Sequence, residues 1–213
     1  MGRNQVVLIT DMFENINKNI LLRLVFLQVF IITISNFLVS IPLEILTIKL
    51  TWSAFTFPVV VLATDLTIRV LGKKIARATI TLTYPLAIIA SIAVLLFEDT
   101  LISVAIRIGF ASATAYAVST LLDVYIFQII REKYKAWWLA PGISTVFANI
   151  IDSYVFFFTA FSDSEDIYMA NNWIEIAGTQ SIIKIAIGIL FFLPVYGVIL
   201  NYILNKLKSH ENN

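Results

Sequence analysis

Residues 55–77 read FTFPVVVLATDLTIRVLGKKIAR, an apolar run that encloses an acid, Asp65, and a base, Arg69. Four residues separate the two, so on a helix they lie one turn apart on the same face. Ionisable side chains inside a membrane span are costly, and they face a bundle interior or a water-filled path. Directly after the run come Gly72, Lys73, Lys74 and Arg77, the kind of positive cluster that marks a cytoplasmic helix end. The stretch thus implies a membrane-spanning helix, an orientation and a polar site.

The whole chain fits that reading. Of its 213 residues 59% are hydrophobic and 14% charged, with mean hydropathy +0.88. Soluble domains are about 45–50% apolar and about 25% charged, so this much apolar surface has no soluble interior to enter. Cysteine is absent, which excludes a disulfide framework, a thiol nucleophile and cysteine–zinc chemistry. The single histidine, His210, sits in a polar tail and is read as solvated. Asp11, Glu14 and Lys18 make residues 1–19 unlike a cleaved signal peptide. No cofactor, metal or nucleic-acid partner is expected.

A span needs about 20 mostly apolar residues. Hydropathy places six, at approximately 20–40, 54–72, 78–97, 101–129, 138–161 and 179–204. The expectation is an all-α, polytopic membrane protein, a single domain over residues 1–213 with six transmembrane helices. Between the spans lie a joint at 42–53, a tight turn at Glu98-Asp99-Thr100, a basic loop at 131–135 and an acidic loop at 162–175. Lys/Arg residues divide eleven to one between alternate loops: Arg3, Lys18, Arg23, Lys73, Lys74, Arg77, Arg131, Lys133, Lys135, Lys206 and Lys208 against Lys49. The positive-inside rule then puts both termini in the cytoplasm. Trp52, Trp173, Trp137 and Trp138 fall at span boundaries, where amphipathic rings anchor.

Gly109 to Ala115 alternates small residues that permit close helix approach. Pro58, Pro85 and Pro194 lie inside predicted helices and favour kinks, while Pro141 opens one. Asp65 and Asp152 occupy corresponding places, the middle helix of the first three and of the last three. That correspondence suggests a 3+3 inverted repeat with a site at the repeat interface.

Six charges fall within predicted spans: Asp65, Arg69, Arg107, Asp123, Asp152 and Lys184. Arg69 is placed either to snorkel to headgroups or to bind. Lys184 and Arg107 are candidate structural partners of acids or site residues. Asp123 is read as structural or solvated, lying toward the cytoplasmic end of a long helix. Asp65 and Asp152 are short, flanked by apolar runs and without a route to water, which favours function. Asn149 and Asp152 share a face, and Asn36 lies with Gln28 and Ser35 on one side of the first helix. The candidate substrate-binding or coupling residues are therefore Asp65, Arg69, Asn149, Asp152, Asn36, Lys184 and Arg107.

Four motifs carry a resemblance: WSAFTFPVVVLATDLTIRVLGKKIAR at 52–77, WWLAPGIST at 137–145 followed by Asn149 and Asp152, FFLPVYGV at 191–198, and the Ser35-Asn36 pair. In this order and over nearly the whole chain, they resemble the bacterial queuosine precursor transporters of the vitamin uptake transporter family. The resemblance implies import of a deazapurine, 7-cyano-7-deazaguanine or its 7-aminomethyl relative, across the bacterial cytoplasmic (inner) membrane for queuosine tRNA modification. Chemistry is compatible: a guanine-like edge offers adjacent N–H donors to one carboxylate, and 16 Phe, 8 Tyr and 4 Trp supply flat faces. No phosphate-binding G-x-x-x-x-G-K-[ST] loop occurs, so uptake would rely on a gradient, downstream trapping or an energising partner. A second reading is a substrate-capture subunit for a vitamin or nucleobase that docks on a separate energising complex; homodimerisation stays open. An intramembrane enzyme is disfavoured, because in-span histidine and an H-E-x-x-H spacing are missing.

Overall fold

Helix α1, Lys18–Val39, shows how the sequence sorts its faces. Leu21, Val25, Gln28 and Ile32 recur at helical spacing and are buried; Phe26, Phe30, Ile34 and Phe37 face outward. The outward face is the more apolar one, the polarity expected where lipid is the solvent. Asn17 caps its start by accepting the Asn19 N–H at 3.0 Å. The computed structural model describes residues 17–39, 42–45 and 48–211, apart from the side chains of 39, 42–45, 48–51, 53–54 and 207–211. The readings made of residues 1–16, Glu44, Lys49, Lys208 and His210 lie outside the described residues or side chains.

A two-stranded antiparallel hairpin, β1 (Pro42–Ile45) with β2 (Ile48–Thr51), joins α1 to a 3₁₀ turn at Trp52–Phe55. The remaining elements among the described residues are helices: α2 (Phe57–Leu71), α3 (Lys73–Phe97), α4 (Ile102–Lys133), α5 (Leu139–Phe161), α6 (Ile167–Ile187) and α7 (Leu193–Glu211). A π-helical segment, Gly188–Phe192, fuses α6 to α7, with the Leu193 N–H reaching Gly188 O. Pro194 has no N–H to return to the preceding turn, and the widened segment just before it accommodates the ring.

Among the described residues five helices are long and apolar enough to cross a membrane: α1, α3, α4, α5 and the fused α6–α7 rod. The expected second span, α2, is the exception. Its 15 residues reach about 22 Å, short of a hydrocarbon layer of about 30 Å. Packing explains its length. α1 packs on α3, α3 on α4, α4 on α5 and α5 on α6, while α2 touches all of them and α7 as well. A helix enclosed by protein need not match the lipid. Phe57, Val60, Val61, Thr64, Asp65 and Ile68 are buried on it.

Three expected joints shrink or shift. The loop at 72–77 is Gly72 alone, whose φ of +91° suits glycine and whose N–H closes α2 on Thr67 O and Ile68 O. The basic loop at 131–135 starts later, because α4 runs to Lys133. The acidic loop at 162–175 ends early, since Asp166 accepts the Met169 N–H at 3.0 Å and starts α6 at Ile167. The polar first turns of α6, with Asn171, Asn172 and Glu175, read as loop in a hydropathy window. They belong to a rod of 40 residues, about 60 Å long and twice the apolar thickness.

Small and hydroxyl residues hold the helices close. On α3 the inward row is Thr79, Thr83, Ala87 and Ser91, all at 0% exposure. At Gly109 on α4 an added Cβ would stand 2.6 Å from Ile92 Cγ1 and 3.1 Å from its backbone nitrogen, so this crossing requires glycine.

Candidate functional site

A cavity of about 360 Å³ opens inside the bundle, within the usual size of small-molecule sites. Its wall includes Asn36 near the end of α1, Phe57 at the start of α2, Leu95 near the end of α3, Ile108 early in α4, Phe161 at the end of α5 and Met169 early in α6. Ends and beginnings alternate, so neighbouring helices run antiparallel and the cavity lies toward one end of the bundle. That end carries the turn at 98–101 and the joint at 162–166, not the Lys/Arg-rich ones.

The floor holds an ion pair. Lys184 Nζ on α6 donates to Asp152 Oδ2 on α5 at 2.9 Å, with the side chains only 14% and 9% exposed. The same ammonium stands 5.2 Å from the centroid of the Phe57 ring. Aromatic rings continue the wall: Phe156 meets Phe157 edge-on at 5.2 Å and Phe161 at 6.1 Å. Opposite, Asn36 is held by two partners, donating to Ser91 Oγ at 2.6 Å and accepting from Ser112 at 3.2 Å. Tyr116 donates to Gln28 Oε1, and Gln28 donates to Thr64 at 3.2 Å, tying α4, α1 and α2 together beneath the cavity. A flat ligand here would meet phenyl faces, one carboxylate, one ammonium and a fixed amide.

A second polar cluster lies deeper. Asp65 on α2 is 1% exposed and accepts from Ser144 on α5 at 3.4 Å. Asp123 on α4 is fully buried beside the Asp65 carboxyl, with the Ser144 hydroxyl near both acids. Tyr196 on α7 closes the other side: its hydroxyl is buried without a partner, and its ring stacks on Trp137 at 6.5 Å. Arg69 follows Asp65 by one turn on α2, and Arg131 Nη1 of α4 donates to Ile68 O at 3.3 Å. The void beside Asp65, bounded by Pro58, Pro141, Thr145 and Tyr196, is about 10 Å³, the least that holds one water.

Two helices link cavity and cluster. From Phe57 to Asp65 on α2, and from Ser144 to Asp152 on α5, eight residues correspond to about 12 Å along the axis. Asn149 sits between on α5, fully buried; its Nδ2 donates to Thr145 O at 2.7 Å while Oδ1 is left without a partner. Of the residues singled out from the sequence, Asp152, Lys184 and Asn36 meet in the cavity. Asp65 and Arg69 belong to the deeper level. Arg107, half-buried with its Nε unpartnered, lines neither.

Of the two readings of Asp123, structural or solvated, burial at 0% exposure removes the solvated one. α4 extends to Lys133, so residue 123 is well inside a helix whose row Tyr116, Ser119, Thr120, Asp123 and Phe127 is buried. Sequence reading also passed over Ser144, Tyr196, Tyr116 and Phe57 as site components. The 3–4-residue spacing of Tyr116, Thr120 and Asp123 was the available signal.

Comparison with known proteins is consistent along the chain. A family model described as "Putative vitamin uptake transporter" matches residues 51–199. The "Queuosine precursor transporter" of Escherichia coli (strain K12) is 43% identical over 196 residues, covering 85% of this chain and 88% of that protein. The "Probable queuosine precursor transporter" of Haemophilus influenzae is 39% identical over 207 residues, covering 86% and 87%. One from Bacillus subtilis is 31% identical over 87 residues, 39% of this chain and 37% of that protein. No solved structure matches.

Proposed function

The chain belongs to the vitamin uptake transporter family, a multi-pass membrane transporter and not an enzyme, and from that premise we propose that it imports a queuosine precursor. The substrate form is 7-cyano-7-deazaguanine, with the 7-aminomethyl relative as a second cargo. The observation that carries this reading is the cavity with the Asp152–Lys184 pair on its floor and phenyl rings on its wall. The Asp152 carboxylate accepts the paired N–H donors of the guanine-like edge. Asn36 and Lys184 serve the ring carbonyl and the cyano side, and Phe57 and Phe156 face the ring.

Direction follows from charge. The cavity lies toward the Lys/Arg-poor end, which the positive-inside rule assigns to the outside of the inner membrane, with both termini cytoplasmic. The structure then corresponds to an outward-facing state, and the Asp65 level is the barrier the substrate next crosses, with Asn149 on the path between. Asp65 and Arg69 are assigned to this coupling and gating level rather than to first contact, while Arg107, early in α4, is assigned to neither level.

The test is uptake of labelled 7-cyano-7-deazaguanine by the purified chain in sealed vesicles. Saturable entry above empty vesicles is expected, and Asp152→Asn should reduce it at least tenfold. Tight binding without entry would instead make the chain a capture subunit for a separate energising complex, and neither binding nor entry would remove the substrate assignment.

A further inference from the structure

The deeper cluster contains two acids whose arrangement the substrate does not need. Asp65 and Asp123 are neighbours across the α2–α4 contact, 1% and 0% exposed, with the Ser144 hydroxyl beside both. Among the described residues neither acid forms an ion pair. Two ionised carboxyls side by side, away from water, repel each other; one proton shared between them relieves the repulsion and permits an O–H···O hydrogen bond. We propose that the Asp65–Asp123 pair is the proton-binding site that couples import to an inward proton gradient. The proposal rests on the transporter reading above.

The surroundings support a proton over a metal cation. α5 brings the neutral Ser144, α1 the neutral Gln28 beside Thr64, and the inward face of α3 carries Thr79 and Thr83. α7 contributes Tyr196, which lines the same small void as Asp65; of the cations, Arg69 follows Asp65 by one turn on α2 and Arg131 of α4 donates to Ile68 O. A sodium ion needs several further oxygens, which transporters draw from unwound helices. Here α2 is continuous through Asp65 and α4 through Asp123, and the void alongside holds about 10 Å³. A proton needs neither room nor extra ligands.

Position makes the pair a gate. It joins the enclosed helix α2 to α4 about 8–10 Å below the lowest cavity residues of those helices, Val60 and Tyr116, with the Gly72 break at the inner end of α2 and the π segment before Pro194 bordering the void beside Asp65. Loading the proton from the outer side ties α2 to α4. Releasing it to the inner side restores two like charges and drives the helices apart, which opens the path at Asn149 and Asp65. One proton enters the cell per cycle and no other bond changes.

The full chain in vesicles, loaded with a pH-sensitive dye, tests this. With an inward gradient of one pH unit, one proton per substrate supports up to about tenfold accumulation. Substrate should also acidify the lumen, and a protonophore should abolish both effects. Asp123→Asn should keep affinity for 7-cyano-7-deazaguanine within about twofold and still exchange labelled for unlabelled substrate, yet lose accumulation and lumen acidification. Asp65→Asn is the second variant should that one fail to fold; if neither folds, the gradient and dye measurements on the unaltered chain decide alone. Saturable exchange indifferent to pH, or accumulation driven by a sodium gradient, would overturn the proton proposal while leaving the transporter reading intact. Absence of binding and exchange would count against that reading and remove the proposal with it.

Discussion

Breaking the Asp152–Lys184 pair from one side should cost more than removing it altogether. In Lys184→Met the stem keeps its length and apolar contacts, but Asp152, 7% exposed, loses the donor 2.9 Å away. An uncompensated buried charge left in this way costs about 3–5 kcal/mol, whereas replacing the whole pair is close to neutral. For a chain of this size about 1 kcal/mol moves Tm by roughly 2–4 °C, so Lys184→Met should lower it by roughly 6–20 °C. Asp152→Asn should cost less, because the freed ammonium keeps its place over Phe57 and reaches the cavity. The double variant Asp152→Asn/Lys184→Met should recover most of the Lys184→Met loss. Thermal unfolding of the four purified proteins measures the cycle, and ligand affinity measured in parallel separates fold from function. Lys184→Met, where folded, keeps the carboxylate and its preference for guanine-like ligands; both Asp152→Asn variants lose that preference. A double variant as unstable as the sum of the singles would refute the reasoning.

Three further outcomes follow from single contacts. Guanine-type bases should outcompete adenine-type bases of equal size for uptake by roughly ten- to hundredfold, since an unmade hydrogen bond to a charged acceptor costs about 1.5–3 kcal/mol; equal competition would leave stacking as the recognition. Gly109→Ala should lower stability by about 1–3 kcal/mol, read as a lower Tm, because the new Cβ would meet Ile92 at 2.6 Å where the helices cross. Gly72→Ala meets nothing within 4 Å yet must hold φ at +91°, so a loss of about 1–3 kcal/mol from backbone strain alone is expected, visible as a lower Tm with unchanged ligand affinity.

The apolar helices were legible because lipid asks for about 20 apolar residues, and five of the six expected spans meet that demand. Length misled at α2, since hydropathy counts residues and does not see that neighbours enclose them. It misled again at the acidic joint, where Asn171, Asn172 and Glu175 outweighed the N-cap signal of Asp166. Within the site, Asp152 and Lys184 were each visible as costly charges, but their pairing spans 32 residues and no local pattern encodes it. The choice between a structural and a solvated Asp123 stayed open for a related reason. Whether a carboxyl near a basic loop is wet depends on how far its helix continues, and that is set by packing on α2 and α5. Asp65 and Asp152 were both conspicuous, yet only three-dimensional packing separates the ligand-sized cavity from the sealed pair below it.

The central claim is that the deazapurine lies in the cavity with its guanine-like edge on Asp152. A crystal structure of the chain with 7-cyano-7-deazaguanine bound tests it most directly. Ring density is expected beside Phe57 and Phe156, with two nitrogen atoms of the ligand within about 3 Å of the Asp152 oxygens. Ligand density in any other place, or in the cavity with that edge turned away from Asp152, would contradict it.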